Sequence, residues 1–239
     1  MANLKLTLEF DGSGYHGWQF QPNRPTVQAE VERAVAAVIG RPTSVYGCSR
    51  TDAGVSARNF IANFHAELAL SPERWRRALD YHLPPAIHVK AVAEVEPGFH
   101  ARHDARGKLY RYRVIRGRSP LRHARVWELR GPVDLDRVRR AATQFVGTRD
   151  YQPFCQTRDK SGVCTVRTIA VTTEADEFEI AIAGNRFLYK MVRRIVGAAV
   201  TYGAGRLTLE DIRSALAGLP HRPFRTAPAS GLVLDSVDY

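Results

Sequence analysis

The sequence predicts an α+β protein of two β-α-β-β-α-β-like subdomains, with mostly antiparallel sheets and flanking helices. Three observations predict it. Short apolar runs of strand type recur along the chain, and stripes at spacings of three and four lie between them. The order of these elements is followed roughly twice, over residues 1–104 and again over 105–239. The similarity between the halves is too weak to call a repeat.

The first half opens on an alternating strand at about 3–10, LKLTLEF. A Gly-rich, aromatic loop follows, and Pro25 signals a helix start. Val27, Val31, Ala34, Val35 and Val38 form the helix stripe, which Gly40 ends. Strands are expected near 43–48 and 59–67. Ser71 is the N-cap and Pro72 the first residue of a second helix, stopped by Pro84 and Pro85. A strand near 87–95 closes this half.

The second half begins with a strand at about 107–116. A helix runs from Asp134 to Phe145, and strands are expected at 151–155, 165–173 and 177–183. Phe187, Met191, Ile195 and Ala199 line one face of a helix over 187–200. On it, Arg193 and Arg194 directly follow Val192, so at least one lies at the edge of the buried stripe. Periodicity alone favours snorkelling, with stems on the core and heads in water. The sharper reading is an arginine aimed into a site to meet a carboxylate or phosphate. Thr208 caps a short helix, with Asp211 where a capping box puts its acid. GLVLDSV is the closing strand.

Composition narrows the function. With 239 residues, 44% hydrophobic and 25% charged, the chain is long enough for a core and too apolar for disorder. No apolar run approaches the length of a membrane span, and the start lacks the apolar core of a signal peptide, so an intracellular protein is expected. Cys48, Cys155 and Cys164 form no C-x-x-C pair, which argues against a disulfide scaffold or a closed zinc site. Lys and Arg number 35 against 24 Asp and Glu, giving a formal net charge of +11. Such an excess raises the odds of a polyanionic partner. Residues 99–125 alone carry a net of +8. Within them Tyr110 and Tyr112 sit among Arg111, Arg113 and Arg116, and rings and cations on one strand suit RNA.

One segment stands out for chemistry. In Cys48-Ser49-Arg50-Thr51-Asp52-Ala53-Gly54-Val55, a polar cluster lies between two apolar strands. Asp52 reads either as a turn former or as a carboxylate held on a rigid strand end beside Arg50. An ionised aspartate can be a nucleophile or a base. The histidines scatter, no H-E-x-x-H or D-x-D cluster appears, and the local charge repels a divalent cation. Cys48 lacks a base and reads as a buried thiol. The stretch from Asp11 to Gln19 is neither a P-loop nor a dinucleotide fingerprint. Its Tyr15, Trp18 and Gln19 offer stacking faces and base-edge groups instead.

The same residues resemble the TruA-type tRNA pseudouridine synthase family. DGSGYHGWQFQP at 11–22, SRTDAGVSA at 49–57, KLYRYRV at 108–114, GTRDYQPF at 147–154, FLYKMVRRIVG at 187–197 and PASGLVLDSVDY at 228–239 carry the likeness. It implies the pseudouridine synthase fold, with Asp52 as the essential aspartate. Arg50 would help displace the target base, Tyr110 would stack on the uracil, and Arg193 would pair with the Asp52 carboxylate. Substrate contacts are expected from Tyr15, Trp18, Gln19, Arg58, Lys108 and Arg111. The implied reaction converts uridine to pseudouridine at positions 38, 39 and 40 of the tRNA anticodon stem-loop. The implied enzyme is a cytoplasmic homodimer with no metal or organic cofactor and no membrane or DNA partner. Two departures are visible: Ser56 stands where the family usually has His, and Arg149-Asp150-Tyr151 where it often has H-D-F.

The chemistry fits these residue types. The N1–C1′ bond must break and C5 must join C1′, and one carboxylate suffices. Asp52 attack on C1′, attack on C6 and a glycal route all remain open. Extruding the uracil costs a few kcal/mol, which phosphate contacts by the basic segment would offset. The alternative readings are a synthase of different RNA specificity and a non-catalytic RNA-binding protein.

Overall fold

The computed structural model describes residues 1–67 and 70–239. The chain divides into two compact units, Met1–Arg106 together with Val233–Tyr239, and Gly107–Leu232. The closing residues, expected with the second subdomain, therefore group with the first.

In the first unit, β1 (Ala2–Phe10) lies between β3 (Ser56–Ala66) and β4 (Ile87–Val95), antiparallel to both. Strict alternation puts Leu4, Leu6, Leu8 and Phe10 on one buried face. The outer edge of β3 is shared. The two-residue β2 (Tyr46–Gly47) pairs with Ala62 and Asn63, while β10 (Leu232–Asp238) runs parallel to Ser56 and Ala57. Helix α1 (Val27–Ile39) starts from the Thr26 side-chain cap and ends at Gly40, whose φ of 82° only glycine adopts cheaply. Helix α2 (Pro72–His82) has Ser71 as cap and Pro72 in its first turn, and buries Trp75 edge-on against Phe64. These starts and stops agree with the sequence expectations.

In the second unit, β5 (Gly107–Arg116) pairs with β9 (Glu177–Gly184), β9 with β8 (Val163–Glu174), and β8 with β7 (Gly147–Asp150), all antiparallel. A three-residue strand that the sequence did not announce, β6 (Trp127–Leu129), runs parallel to β5. Helices α3 (Leu135–Thr143), α4 (Met191–Gly203) and α5 (Leu209–Leu216) complete it. The capping box of Thr208 and Asp211 is formed.

Two expected elements move. The strand expected at 151–155 is a 3-10 turn, Gln152–Phe154, because Pro153 has no N–H for a ladder; the strand precedes it, at 147–150. The helix expected from Phe187 starts at Met191. Asn185 ties the backbone of Thr165 and Arg186, and Lys190 takes φ 61°, so residues 185–190 form a turn instead. Among the described residues no helix is long and apolar enough to cross a membrane.

Candidate active site

The loop bearing Arg50 and Asp52 joins β2 to β3 and is laced to the Gly-rich segment 11–18. Trp18 N–H donates to the Thr51 carbonyl at 3.2 Å, Gly54 N–H to the Tyr15 carbonyl at 3.1 Å, and Gly12 N–H to Ser56 Oγ at 3.0 Å. The two backbones are so close that a Cβ on Gly12 would run into the Val55 carbonyl, and one on Gly17 into the Thr51 carbonyl. The glycines thus serve close approach rather than phosphate binding. Within the loop, Val55 N–H returns to the Asp52 carbonyl at 3.1 Å, a turn that presents a half-buried Asp52 and an exposed Arg50. Cys48 is fully buried, as a structural thiol should be. The Ser56 hydroxyl, at the position where histidine was expected from resemblance, accepts the Gly12 bond and so helps hold the two segments together.

The expected substrate residues of this unit divide. Trp18 does not present a stacking face: it is 2% exposed, with its ring stacked on Phe60 at 4.2 Å and Gly47 closing over it. Its aromatic surface belongs to the core, which overturns the expected role. Tyr15 is half-buried, and burial, reinforced by the Glu30 charge, pushes its phenol above its ordinary range. Gln19 is exposed and donates to Gln28 Oε1 at 3.0 Å. Arg58 is exposed, but its guanidinium meets Asp235 at 2.9 Å and ties β3 to β10.

Strand β5 separates what the sequence placed side by side. Successive side chains point to opposite faces. Lys108, Tyr110 and Tyr112 share one face with Ile180 and Ile182; Arg111 and Arg113 share the other with Glu177 and Glu179. There Arg111 meets Glu179 at 2.6 Å and Arg113 meets Glu177 at 2.5 Å. Arg111 therefore belongs to a cross-strand ion-pair ladder, on the side of the sheet away from Tyr110. The expected platform of interleaved tyrosines and arginines is not formed. Tyr110 is 7% exposed and packs edge-on against Phe187 at 5.3 Å, and Lys108 is half-buried.

Helix α4 carries Arg193 in its first turn, where the helix dipole favours acids. That turn holds no acid, Lys190 precedes it, and no side chain caps it. A local rule is broken where the chain concentrates positive charge. Neither arginine simply snorkels. Arg193 Nε donates to the Ala227 carbonyl at 2.8 Å, and Arg194 Nη1 to the Cys155 carbonyl at 2.9 Å. Each guanidinium is fixed by backbone oxygen rather than left in water.

Asp52 and Arg50 thus stand on the first unit, and Tyr110, Lys108 and Arg193 on the second. Among the described residues no group of three or more His, Cys, Asp or Glu is placed to hold a metal ion. Sequence reasoning missed the support roles of Gly12, Gly17 and Ser56. The signal was present as glycines without a phosphate-loop pattern. Tyr151, visible in the sequence only as a departure from the family pattern, has a buried hydroxyl that donates to the Phe145 carbonyl; burial pushes its pKa up to about 12.

Comparison with known proteins gives one family. A family model described as tRNA pseudouridine synthase matches residues 7–104 and 141–239. A tRNA pseudouridine synthase A of Acetivibrio thermocellus is 39% identical over the full length of both chains. One from Myxococcus xanthus is 39% identical over 100% of this chain and 92% of its own. One from Brevibacillus brevis is 37% identical over the full length of both.

Proposed function

The chain belongs to the tRNA pseudouridine synthase family, and on that footing we propose that it isomerises uridine to pseudouridine at positions 38, 39 and 40 of the anticodon stem-loop, with Asp52 as nucleophile. The observation that carries the assignment of Asp52 is the lacing of its loop to segment 11–18. Two backbone–backbone bonds, a third from Gly12 N–H to the Ser56 hydroxyl, and two glycines without room for a Cβ hold one carboxylate-bearing turn rigid.

In this reading the uracil leaves the stack at a cost of a few kcal/mol, offset by phosphate contacts. Arg50, exposed beside Asp52, occupies the space the base vacates. Asp52 adds to the extruded nucleotide at C1′ or C6, or removes a ribose proton. The N1–C1′ bond breaks, the base turns and C5 joins C1′; the bond to Asp52 breaks again, or the ribose proton is returned, the C5 proton is lost and N1 gains one. Arg193 pairs with the Asp52 carboxylate, which is supported by the acid-free, cationic first turn of α4. Tyr110 meets the detached uracil. Tyr15, Gln19 and Lys108 contact RNA. The enzyme acts as a cytoplasmic homodimer without a metal or organic cofactor.

The test is product analysis of an unmodified tRNA transcript incubated with the protein and chelator. Pseudouridine is mapped by carbodiimide adducts and primer extension. Product at positions 38–40, absent with Asp52→Ala, is expected. Product elsewhere in the RNA would overturn the specificity, and binding without product across several tRNAs would overturn the activity.

A further inference from the structure

We infer that Tyr112 is a positioning residue for Arg193, acting through the backbone of Ala227 and Pro228. The inference rests on the role of Arg193 proposed above, and it concerns a tyrosine to which that reading gives no task.

The geometry is a relay. Tyr112 Oη donates to the Pro228 carbonyl at 2.6 Å. The preceding residue, Ala227, is fully buried and holds Arg193 twice: its carbonyl accepts from Arg193 Nε at 2.8 Å, and its N–H donates to the Arg193 carbonyl at 3.1 Å. A guanidinium is planar, so fixing the Nε–H direction fixes where its two terminal nitrogens point. Tyr112 thereby reaches the fork of Arg193 through one residue, Pro228.

The segment that carries the relay is held between α4 and β5. A Cβ on Gly197, in α4, would collide with the Arg225 carbonyl, so the segment lies directly on the helix. A Cβ on Gly231 would collide with the Tyr112 ring and the Arg113 carbonyl, so it lies equally close to β5. Arg113 N–H donates to the Gly231 carbonyl at 2.9 Å, Ser230 Oγ to the Val126 carbonyl at 3.1 Å, and the Arg225 guanidinium sits 5.0 Å over Trp127. Pro228 has no N–H, so its carbonyl is the one backbone polar group it offers, and the Tyr112 hydroxyl donates to that carbonyl.

Packing alone does not explain a tyrosine here. Its ring is fully buried and meets Trp127 edge-on at 6.2 Å, a task that phenylalanine performs as well. The hydroxyl is a polar group taken from water, and it is retained with one backbone partner. Burial pushes the phenol far above its ordinary range, against the opposing charges of Arg193 and Arg225, so it stays a donor throughout neutral pH.

The experiment is a double-mutant cycle in the full-length enzyme on an unmodified tRNA transcript. Tyr112→Phe is expected to lower kcat about five- to tenfold, the equivalent of one lost hydrogen bond felt in turnover. KM for tRNA should stay near the wild-type value, and the thermal midpoint should fall by only about 2–4 °C. Arg193→Lys has no Nε–H for Ala227, so adding Tyr112→Phe to it should cost nothing more. Wild-type kcat in Tyr112→Phe would overturn the inference, as would losses that multiply in the double variant. The two readings fail differently. Full turnover by Arg193→Lys removes the role of Arg193 and the relay with it. A crippled Arg193→Lys beside a silent Tyr112→Phe removes the relay alone.

Discussion

Asn63 Nδ2 donates to Asn3 Oδ1 at 3.0 Å, joining two side chains that are each 1% exposed. The pair sits on the face of β1 and β3 opposite the leucines and holds the turn that follows β4. Asn3 Nδ2 donates to the Phe99 carbonyl at 2.8 Å, and Asn63 Oδ1 accepts from Ala101 N–H at 2.9 Å. Asn63→Ala leaves a buried Ala101 N–H and the Asn3 oxygen without partners, at about 1–3 kcal/mol for each group. A lowered urea midpoint with an unchanged slope is expected. An unchanged midpoint would show that the pair holds nothing.

Gly17 and Gly14 lie three residues apart and predict opposite outcomes. Gly17 has φ 89° and no room for a Cβ beside the Thr51 carbonyl, whereas Gly14 has open space around it. Gly17→Ala should cost about 1–3 kcal/mol in backbone strain and displace the turn carrying Asp52. Turnover should fall more than about tenfold, since an ångström of misplacement can cost two orders of magnitude. Gly14→Ala should retain turnover. Equal activity in the two variants would contradict the role given to the lacing.

Arg193→Leu removes the guanidinium from the first turn of α4 together with its bond to Ala227. Turnover is expected to fall by at least about a hundredfold, on the scale of losing a charge-assisted contact. Normal turnover would refute the proposed pairing with Asp52. Tyr110→Phe keeps the ring and its contact with Phe187. It should retain most activity if the ring acts as a face for the base, and complete loss would give the hydroxyl a chemical role.

His100 predicts a pH dependence of stability. Burial lowers its pKa, and the neighbouring His103, with ring centroids 4.2 Å apart, lowers it further. Asp104 acts in the opposite direction, and Arg102 in the same one. Arg102 N–H also donates to His100 Nδ1 at 3.0 Å, which requires that nitrogen to be unprotonated. The unfolded chain therefore takes up this proton at a higher pH than the folded one. The stability associated with neutral His100 is present above about pH 6.5 and is lost as pH falls through the depressed folded value. Urea midpoints measured from pH 7.5 to 5 should decline less steeply in His100→Asn. Identical slopes would remove His100 from the linkage.

Helix starts were legible because they are local chemistry. Ser71 and Thr208 cap the helices they announce, Asp134 opens the third and Pro25 directly precedes the Thr26 cap of the first, while the acid of a capping box lies only three residues away. The start of α4 was not legible. The apolar stripe continues back through Phe187, and ties to distant residues, such as that of Asn185 to Thr165 twenty residues away, turn the chain. Tyr110 and Arg111 show the same limit. Their adjacency suggested one surface, and strand alternation assigned them to two.

The sequence by itself determined the class of fold, the family and the turn that bears Asp52, because periodicity, caps and motif residues are written in consecutive positions. Only the tertiary structure decided which residues are available for work. Trp18 was drawn into the core by Phe60, Arg58 and Arg111 were taken by Asp235 and Glu179, and Arg193 was fixed by Ala227. Each partner lies more than thirty residues away along the chain, so no local pattern announces it. The physical reason is satisfaction: buried rings need neighbours, and guanidinium groups find acceptors, wherever in the chain those are supplied.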